Sequence, residues 1–290
     1  MDYLLTILLG IIQGLTEFLP ISSTGFLIVV EQILRIQESS ELMNVALHVG
    51  TLAAILLAMQ KDAARLCREA FRMIRDIVLN IRITFRSIRN HEEPRYIHIV
   101  TSNYRQLVIL VITATASTSL VAFLLRNAAR SASGSVLYSG IGMLITGILL
   151  LVTDRVPVGN KIPLDISWKY GIVIGCVQGF SVIPGISRTG LVFVCGILLG
   201  FNKSLSIRFS YLLSIPAVIG AIVLQSGKIP TLIASPRFAG TCLVGALFAA
   251  VTGMLIVRPV SKLIRQRRLK TFAIWSFVSG GVILILSFIV

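Results

Sequence analysis

Charged residues are scarce in this chain. They make up 13% of its 290 residues, against 55% hydrophobic residues and a mean hydropathy of +0.89, whereas soluble domains carry about 25% charged residues. This composition excludes a soluble globular protein and a disordered chain. It predicts a protein whose helices lie mostly in lipid.

Acidic residues and cysteines are scarcer still. The chain has 12 acidic and 27 basic residues and therefore a net charge of +15. Such an excess of positive charge is common in nucleic-acid-binding proteins. The excess lies in linkers between apolar runs and has no nucleic-acid-binding motif around it, so anionic membrane lipid is the predicted partner and nucleic acid is not. The four cysteines show no CxxC or Cys/His spacing, which excludes a disulfide framework and a zinc site.

Several apolar runs are long enough to cross a bilayer, whose core accommodates about 20 residues of helix. The six runs are residues 42–59, 107–125, 136–152, 207–225, 239–257 and 272–289. We therefore expect an all-α integral membrane protein with six transmembrane helices. The whole chain, residues 1–290, is predicted to form a single membrane domain.

Two further apolar regions, residues 4–36 and 170–201, are interrupted in the middle by proline, glycine and hydroxyl residues. Each is too long for one spanning helix and short for two full crossings, which need about 20 residues each. Each region is therefore predicted to be a re-entrant hairpin of two half-helices.

The two interrupted regions are copies of one another. The segment GIIQGLTEFLPISSTG at 10–25 aligns without a gap on GCVQGFSVIPGISRTG at 175–190, and seven of the sixteen positions are identical. We infer an internal duplication. The predicted repeats cover about residues 1–125 and 136–290.

Basic residues set the orientation of the chain. Ten Lys and Arg residues lie in 60–106 and six in 258–271, which places both linkers on the cytoplasmic side. Four spans separate the linkers, so the two hairpins enter from opposite faces and form an inverted-topology repeat. Half-helix N-termini near the midplane then suit an anion. Within 60–106, basic and apolar residues alternate at three- and four-residue steps, which predicts an amphipathic helix on the membrane surface.

Two ionisable residues fall inside the interrupted regions, Glu17 in the first and Arg188 in the second. Such a group costs about 2.5–3.5 kcal/mol at the centre of a membrane helix and needs a partner. Because the planar fork of arginine matches phosphate and a serine beside a base can act as a nucleophile, the loops indicate phosphate binding or phosphate chemistry on a lipid-borne group. An ion pair that only holds the hairpins together is the alternative.

Four segments resemble the undecaprenyl-diphosphate phosphatase family, also called the bacitracin-resistance family. They are QGLTEFLPISSTG at 13–25, NVALHVGTL at 44–52, PGISRTG at 184–190 and RFSYLLSIP at 208–216. The resemblance implies a multi-pass hydrolase of the bacterial inner membrane that removes one phosphate from undecaprenyl diphosphate and so recycles the lipid carrier of cell-wall synthesis. It also implies a divalent cation, Mg²⁺ or Ca²⁺, whose ligands are unknown. We expect a homodimer as the assembly.

The resemblance assigns roles residue by residue. It makes Gln13 and Glu17 the family's (Glu/Gln)-x-x-x-Glu pair, Ser22 and Ser23 the candidate nucleophiles, and Arg188 the essential arginine. The residues expected to bind substrate are Gln13, Thr24, Gly25, His48, Ser187, Thr189 and Gly190.

The chain departs from the family pattern at two positions. Phe26 replaces a histidine and Val192 replaces a hydroxyl residue. The histidine matters more, because imidazole is the usual group for moving a proton near neutral pH. Three hypotheses follow: Glu17 acts as the base alone, His48 substitutes for the missing imidazole, or hydrolysis is lost and the chain binds or carries a polyprenyl phosphate without cleaving it.

Overall fold

The computed structural model describes residues 2–34, 41–228, 230, 234–266 and 269–288, and most of these residues are helical. Twelve α-helices lie in these ranges. They are α1 Tyr3–Thr16, α2 Ser23–Ile33, α3 Glu41–Ala58, α4 Gln60–Asn90, α5 Asn103–Leu124, α6 Arg126–Ala132, α7 Val136–Thr153, α8 Trp168–Gly179, α9 Arg188–Leu198, α10 Lys203–Gln225, α11 Pro236–Gln266 and α12 Lys270–Leu286. The predicted all-α integral membrane fold is confirmed.

Five helices are long and apolar enough to cross a membrane: α3, α5, α7, α10 and α11. They coincide with the first five predicted spans. The sixth predicted span, 272–289, corresponds to α12, whose 17 residues extend over about 26 Å, slightly less than a bilayer core of about 30 Å. Residue 289 lies outside the described residues. Six spans therefore stay a prediction.

The second basic segment, 258–271, differs from the predicted linker. Most of it is helical, because α11 continues to Gln266. Lysine and arginine are good helix formers, and cations in a last turn interact favourably with the negative end of the helix dipole. The basic residues thus extend a helix that is long enough to span the membrane, and the cytoplasmic position of this segment stays a prediction.

Both interrupted regions are broken where the sequence predicted. The first consists of α1 and α2 separated by residues 17–22, and the second of α8 and α9 separated by residues 180–187. Residues 35–36 of the first predicted hairpin lie outside the described residues. Re-entry from opposite leaflets stays a prediction, as does the division into two repeats.

The duplicated sequence produces the same cap on two helices. Ser22 is the N-cap of α2, and its Oγ accepts a hydrogen bond from the N–H of Gly25 at 3.2 Å. Ser187 is the N-cap of α9 and accepts from the N–H of Gly190 at 3.0 Å. A serine at this position satisfies one of the unpaired N–H groups at a helix start. The serine-to-glycine spacing shared by the copies therefore fixes where both half-helices begin.

Small residues let the first half-helix of each interrupted region pack closely on a long helix of the other half of the chain. A Cβ on Gly10 of α1 would lie 2.6 Å from the carbonyl oxygen of Gly245 in α11, and one on Gly175 of α8 would lie 2.2 Å from that of Ala114 in α5. Such close approach is the usual role of small residues between membrane helices. The duplicated glycines therefore hold α1 on α11 and α8 on α5, so that the two halves interlock.

Candidate functional site

The site is built on an ion pair between the two broken loops. The guanidinium of Arg188 donates to Oε1 of Glu17, although the residues are 171 positions apart in the chain. The side chains are only 19% and 6% exposed, respectively. A charge in such surroundings needs a partner of opposite charge. Glu17 and Arg188 are partners of this kind for each other. The meeting of these two residues, expected from the sequence, is confirmed.

Two more side chains hold the Glu17 carboxylate. Ser23 donates its hydroxyl to Oε2 at 2.6 Å, and Nε2 of Gln13 donates to the same oxygen at 3.0 Å. Gln13 lies one helical turn before Glu17, so α1 delivers both groups to the break. A hydroxyl within hydrogen-bond reach of a carboxylate is the arrangement that nucleophilic catalysis requires.

The two serines of the first loop have different surroundings. The Oγ of Ser22 accepts from Gly25 N–H as the helix cap and lies 3.1 Å from the hydroxyl of Thr24. Ser23 contacts the Glu17 carboxylate instead. Of the two, Ser23 is the one whose hydroxyl donates to a carboxylate.

His48 of α3 lies at the edge of this cluster. Its Nδ1 is 2.9 Å from Nε2 of Gln13 and 3.6 Å from Oε2 of Glu17. Since the Gln13 amide is a donor, Nδ1 acts as the acceptor in the neutral ring and the proton sits on Nε2. Phe26, at the family's histidine position, packs instead against the apolar cluster that contains Val29 and Met143. An imidazole therefore reaches the carboxylate from α3, through Gln13.

The second loop is fixed to the first and to α7. Thr189 donates its hydroxyl to the carbonyl oxygen of Glu17 at 3.2 Å. The N–H of Ser187 donates to Oγ1 of Thr146 at 3.1 Å. A Cβ on Gly190 would lie 3.2 Å from the carbonyl oxygen of Pro20. The N-termini of α2 and α9 are thus close together, and the first N–H groups of a helix have no intrahelical acceptor.

The structure brings together every residue that the sequence suggested for the site. Glu17 and Ser23 are buried, whereas Thr24, His48 and Arg188 are partly exposed and form the accessible side. The remaining members complete the two loops or support Glu17. They are Gln13, Ser22, Gly25, Ser187, Thr189 and Gly190.

Two positioning residues were not singled out from the sequence. Thr146 is buried in α7 and holds the loop before α9 through Ser187. The only feature of the sequence that could have pointed to Thr146 is a hydroxyl residue within an apolar span. Tyr211 of α10 is also buried. Its hydroxyl donates to the carbonyl oxygen of Phe18 at 2.9 Å, and the two rings meet edge to face with centroids 5.7 Å apart. Tyr211 lies in a family-like segment but received no role.

Two buried polar atoms at the site have no hydrogen-bond partner within the described residues. They are Nε of Arg188 and Oε1 of Gln13. Buried polar groups are nearly always paired, so an unpaired donor and an unpaired acceptor on residues that contact Glu17 suit a polar ligand. A phosphate oxygen would satisfy the Arg188 N–H with a charge-assisted hydrogen bond.

Known proteins resemble this chain over its whole length. A family model described as bacitracin resistance protein BacA matches residues 6–282. The chain is 34% identical over 283 residues to an undecaprenyl-diphosphatase of Alkaliphilus metalliredigens strain QYMF, with 97% of each chain covered. It is 35% identical over 287 residues to that of Methanosphaera stadtmanae, with 99% of each covered. It is 33% identical over 284 residues to that of Methanobrevibacter smithii, covering 98% of this chain and 97% of the relative.

Proposed function

Since the chain belongs to the bacitracin resistance protein BacA family, we propose that it removes one phosphate from undecaprenyl diphosphate and leaves undecaprenyl phosphate in the membrane. Its relatives are named for this reaction. It is a multi-pass membrane enzyme with five helices long and apolar enough to span a bilayer. The observation that carries the proposal is the cluster in which Arg188 and Ser23 share the Glu17 carboxylate.

Substrate binding would use the positive groups of both loops. Arg188 can turn its guanidinium from Glu17 to the terminal phosphate, where its buried Nε–H would gain an acceptor. The N-termini of α2 and α9 favour negative charge through their unpaired N–H groups and dipoles. The polyprenyl chain would remain in lipid, so only the diphosphate needs to enter the polar cluster.

The reaction itself would begin at Ser23. Its Oγ attacks the terminal phosphorus, its proton passes to Glu17, and the bond between that phosphorus and the bridging oxygen breaks. Undecaprenyl phosphate leaves with the electron pair of that bond, and water then hydrolyses the phosphoserine. Direct attack by a water that Glu17 deprotonates is the alternative route. Hydrogen-bond contact between Ser23 and Glu17 favours the serine.

His48 is the group we assign to the missing family imidazole. It contacts Gln13, which in turn donates to Glu17, so it orients the carboxylate through the amide. Its distance of 3.6 Å from the carboxylate also allows it to share the proton that Glu17 receives. Glu17 is thus the base, His48 positions it and lies within reach of its proton, and an imidazole at position 26 is not required.

A divalent cation, Mg²⁺ or Ca²⁺, fits the donor atoms of this site. The Glu17 carboxylate and Oε1 of Gln13 are hard oxygen ligands of the kind both ions prefer, and that amide oxygen is buried without a hydrogen-bond partner among the described residues. Across the described part of the chain, no group of three or more His, Cys, Asp or Glu side chains could hold a metal ion. Phosphate oxygens would have to complete the coordination. The bound ion would neutralise charge on the diphosphate.

Two further partners belong to this proposal. Anionic lipids are the expected neighbours of a chain with a net charge of +15. A homodimer is the proposed assembly, and the mass of the purified protein in detergent measures it.

The proposal is tested by phosphate release from undecaprenyl diphosphate. Full-length protein should release inorganic phosphate, and Arg188→Ala should lose about 10²–10³-fold in rate, as expected for removal of one transition-state donor. Arg188→Lys keeps a charge beside Glu17 but loses the bidentate fork, so it should fold normally and still be impaired. Unfolding temperature controls for the fold. Binding without release by the wild type, over a full series of pH and divalent cations, would instead favour a carrier.

A further inference from the structure

The outward surface of α4 is apolar over most of its length. One row of exposed side chains recurs at three- and four-residue steps, which places them on one face of the helix. The row consists of Phe71, Ile74, Val78, Ile81, Phe85 and Ile88. We call it the α4 stripe. An exposed apolar row of this length is unusual on a surface that faces water.

The acidic residues of α4 all face the helix bundle. They follow one another at seven-residue intervals, Asp62, Glu69 and Asp76. Arg105 of α5 donates to Oε2 of Glu69 at 3.1 Å and lies 2.8 Å from Oδ2 of Asp76, while Asp62 pairs with Arg208 of α10. These contacts clamp the helix to the bundle. They also leave the rest of its surface without acidic residues.

The ion pairs at the clamp are strong enough to keep Glu69 charged. Burial opposes its ionisation, but hydrogen bonds from Arg105 and Arg72 outweigh this and lower the pKa of the Glu69 carboxyl. A hydrogen bond from Arg75 and, against a smaller effect of burial, one from Arg105 likewise lower the pKa of Asp76. Both carboxylates are therefore charged at neutral pH, and their ion pairs with Arg105 hold this face of α4 against α5.

The third face of α4 is basic. At 100° per residue, most of it lies on the opposite side of the clamp from the α4 stripe, while Arg82 and Arg89 border the stripe itself. Its exposed members are Lys61, Arg65, Arg68, Arg72, Arg75, Arg82, Arg86 and Arg89. Long cationic side chains of this kind can extend to phosphates while their stems cover apolar surface.

Two occupants could cover the α4 stripe, and the charges choose between them. If the stripes of two copies packed against each other, Arg82 and Arg89 of one copy would lie next to the same residues of the other. Like charges beside an apolar helix–helix interface repel one another and are unfavourable. An anionic membrane surface attracts the same cations. The helix also starts only two residues after α3 ends at Ala58, so it begins at the end of a membrane-spanning helix.

We propose that α4 lies in the plane of the membrane surface, with the α4 stripe in the acyl boundary and its arginines on anionic phospholipid headgroups. The carboxylate row that clamps α4 to α5 and α10 holds it in this orientation. The inference is independent of the hydrolytic site, because none of the residues that carry it belongs to the Glu17 cluster.

Site-directed fluorescence in vesicles tests this orientation. The full-length chain, with its four cysteines replaced by serine, carries an environment-sensitive dye at Ile81→Cys or, as a matched control on the same helix, at Arg86→Cys. In vesicles with phosphatidylglycerol, the dye at 81 should be blue-shifted and quenched by nitroxides attached to acyl chains. The dye at 86 should be quenched by iodide instead. Equal iodide quenching at both positions would overturn the proposal.

Two further results separate the occupants and test the role of charge. Spin–spin coupling between nitroxides on Ile81→Cys of two copies would mean that a second copy covers the stripe, and would overturn the proposal. Arg82→Gln combined with Arg86→Gln should abolish the part of the blue shift at 81 that depends on phosphatidylglycerol. Arg126→Gln combined with Arg130→Gln on α6 should leave it unchanged. If the blue shift at 81 does not depend on phosphatidylglycerol when Arg82 and Arg86 are both present, contact between the arginines and the headgroups is overturned.

Discussion

Two adjacent serines at the first break show that the surroundings of a residue, and not its type alone, decide its role. Ser22 and Ser23 are equivalent as candidates in the sequence, yet one caps α2 and the other donates to Glu17. The difference arises because successive residues at a helix start point in different directions. A motif therefore locates the pair, and the fold selects one member.

Replacing each serine separately tests this selection. Ser23→Ala should lose at least about 10³-fold in phosphate release, as a nucleophile does. Ser22→Ala should lose its cap, lowering the free energy of unfolding by about 1 kcal/mol, while the rate falls far less. Phosphate release and thermal unfolding of both variants provide the measurement. Equal loss of rate in both variants, at equal stability, would contradict a specific role for Ser23.

A second comparison at the residue scale concerns the imidazole. His48→Ala should slow phosphate release by about tenfold and alter the shape of the pH–rate profile, because the variant removes an imidazole 3.6 Å from the Glu17 carboxylate. A merely structural residue would leave the shape of that profile unchanged. Phe26 lies three residues after Ser23 in α2, a spacing that places two side chains on the same side of a helix.

The double variant His48→Ala with Phe26→His serves as the matched control. We expect it to regain part of the lost rate, since the imidazole would return to the family's position. Wild-type activity and an unaltered pH profile in His48→Ala would contradict our assignment and leave Glu17 as the base without help.

At the scale of elements, the sequence predicted the break in each interrupted region but not its support. Gly185 has a positive φ of 84°, a conformation that L side chains rarely adopt. A Cβ there would lie 2.0 Å from the carbonyl oxygen of Ser139 in α7. The loop that carries Arg188 is therefore pressed against α7, a neighbour that no local pattern could reveal.

Gly185→Ala should therefore destabilise the protein and impair the site together. The left-handed conformation alone costs about 1–2 kcal/mol for a residue with a Cβ, and the clash with α7 adds to it. Gly281→Ala is the matched control, because a Cβ there meets nothing within 4 Å and alanine favours helix. Unfolding temperatures and phosphate release of both variants measure the effect. A Gly185 variant as stable as the Gly281 variant would show that α7 is not pressed against the loop.

Across the whole molecule, the two halves of the chain form a single structure. Helix α1 packs on α11 and α8 packs on α5, while Glu17 of the first half pairs with Arg188 of the second. Neither half contains both the carboxylate and the guanidinium. The site exists only where the loops that carry these two residues meet.

Resemblance to the family supplied the candidate residues of the site, whereas the sequence by itself determined the membrane environment, the helical class and the two broken regions. These follow from composition, run length and short-range caps, all of which are local properties. Only the tertiary structure decided which serine faces Glu17, that His48 reaches it through Gln13, and which way α4 turns its acidic residues. Those outcomes depend on contacts between residues far apart in the chain, and no local pattern encodes such distances.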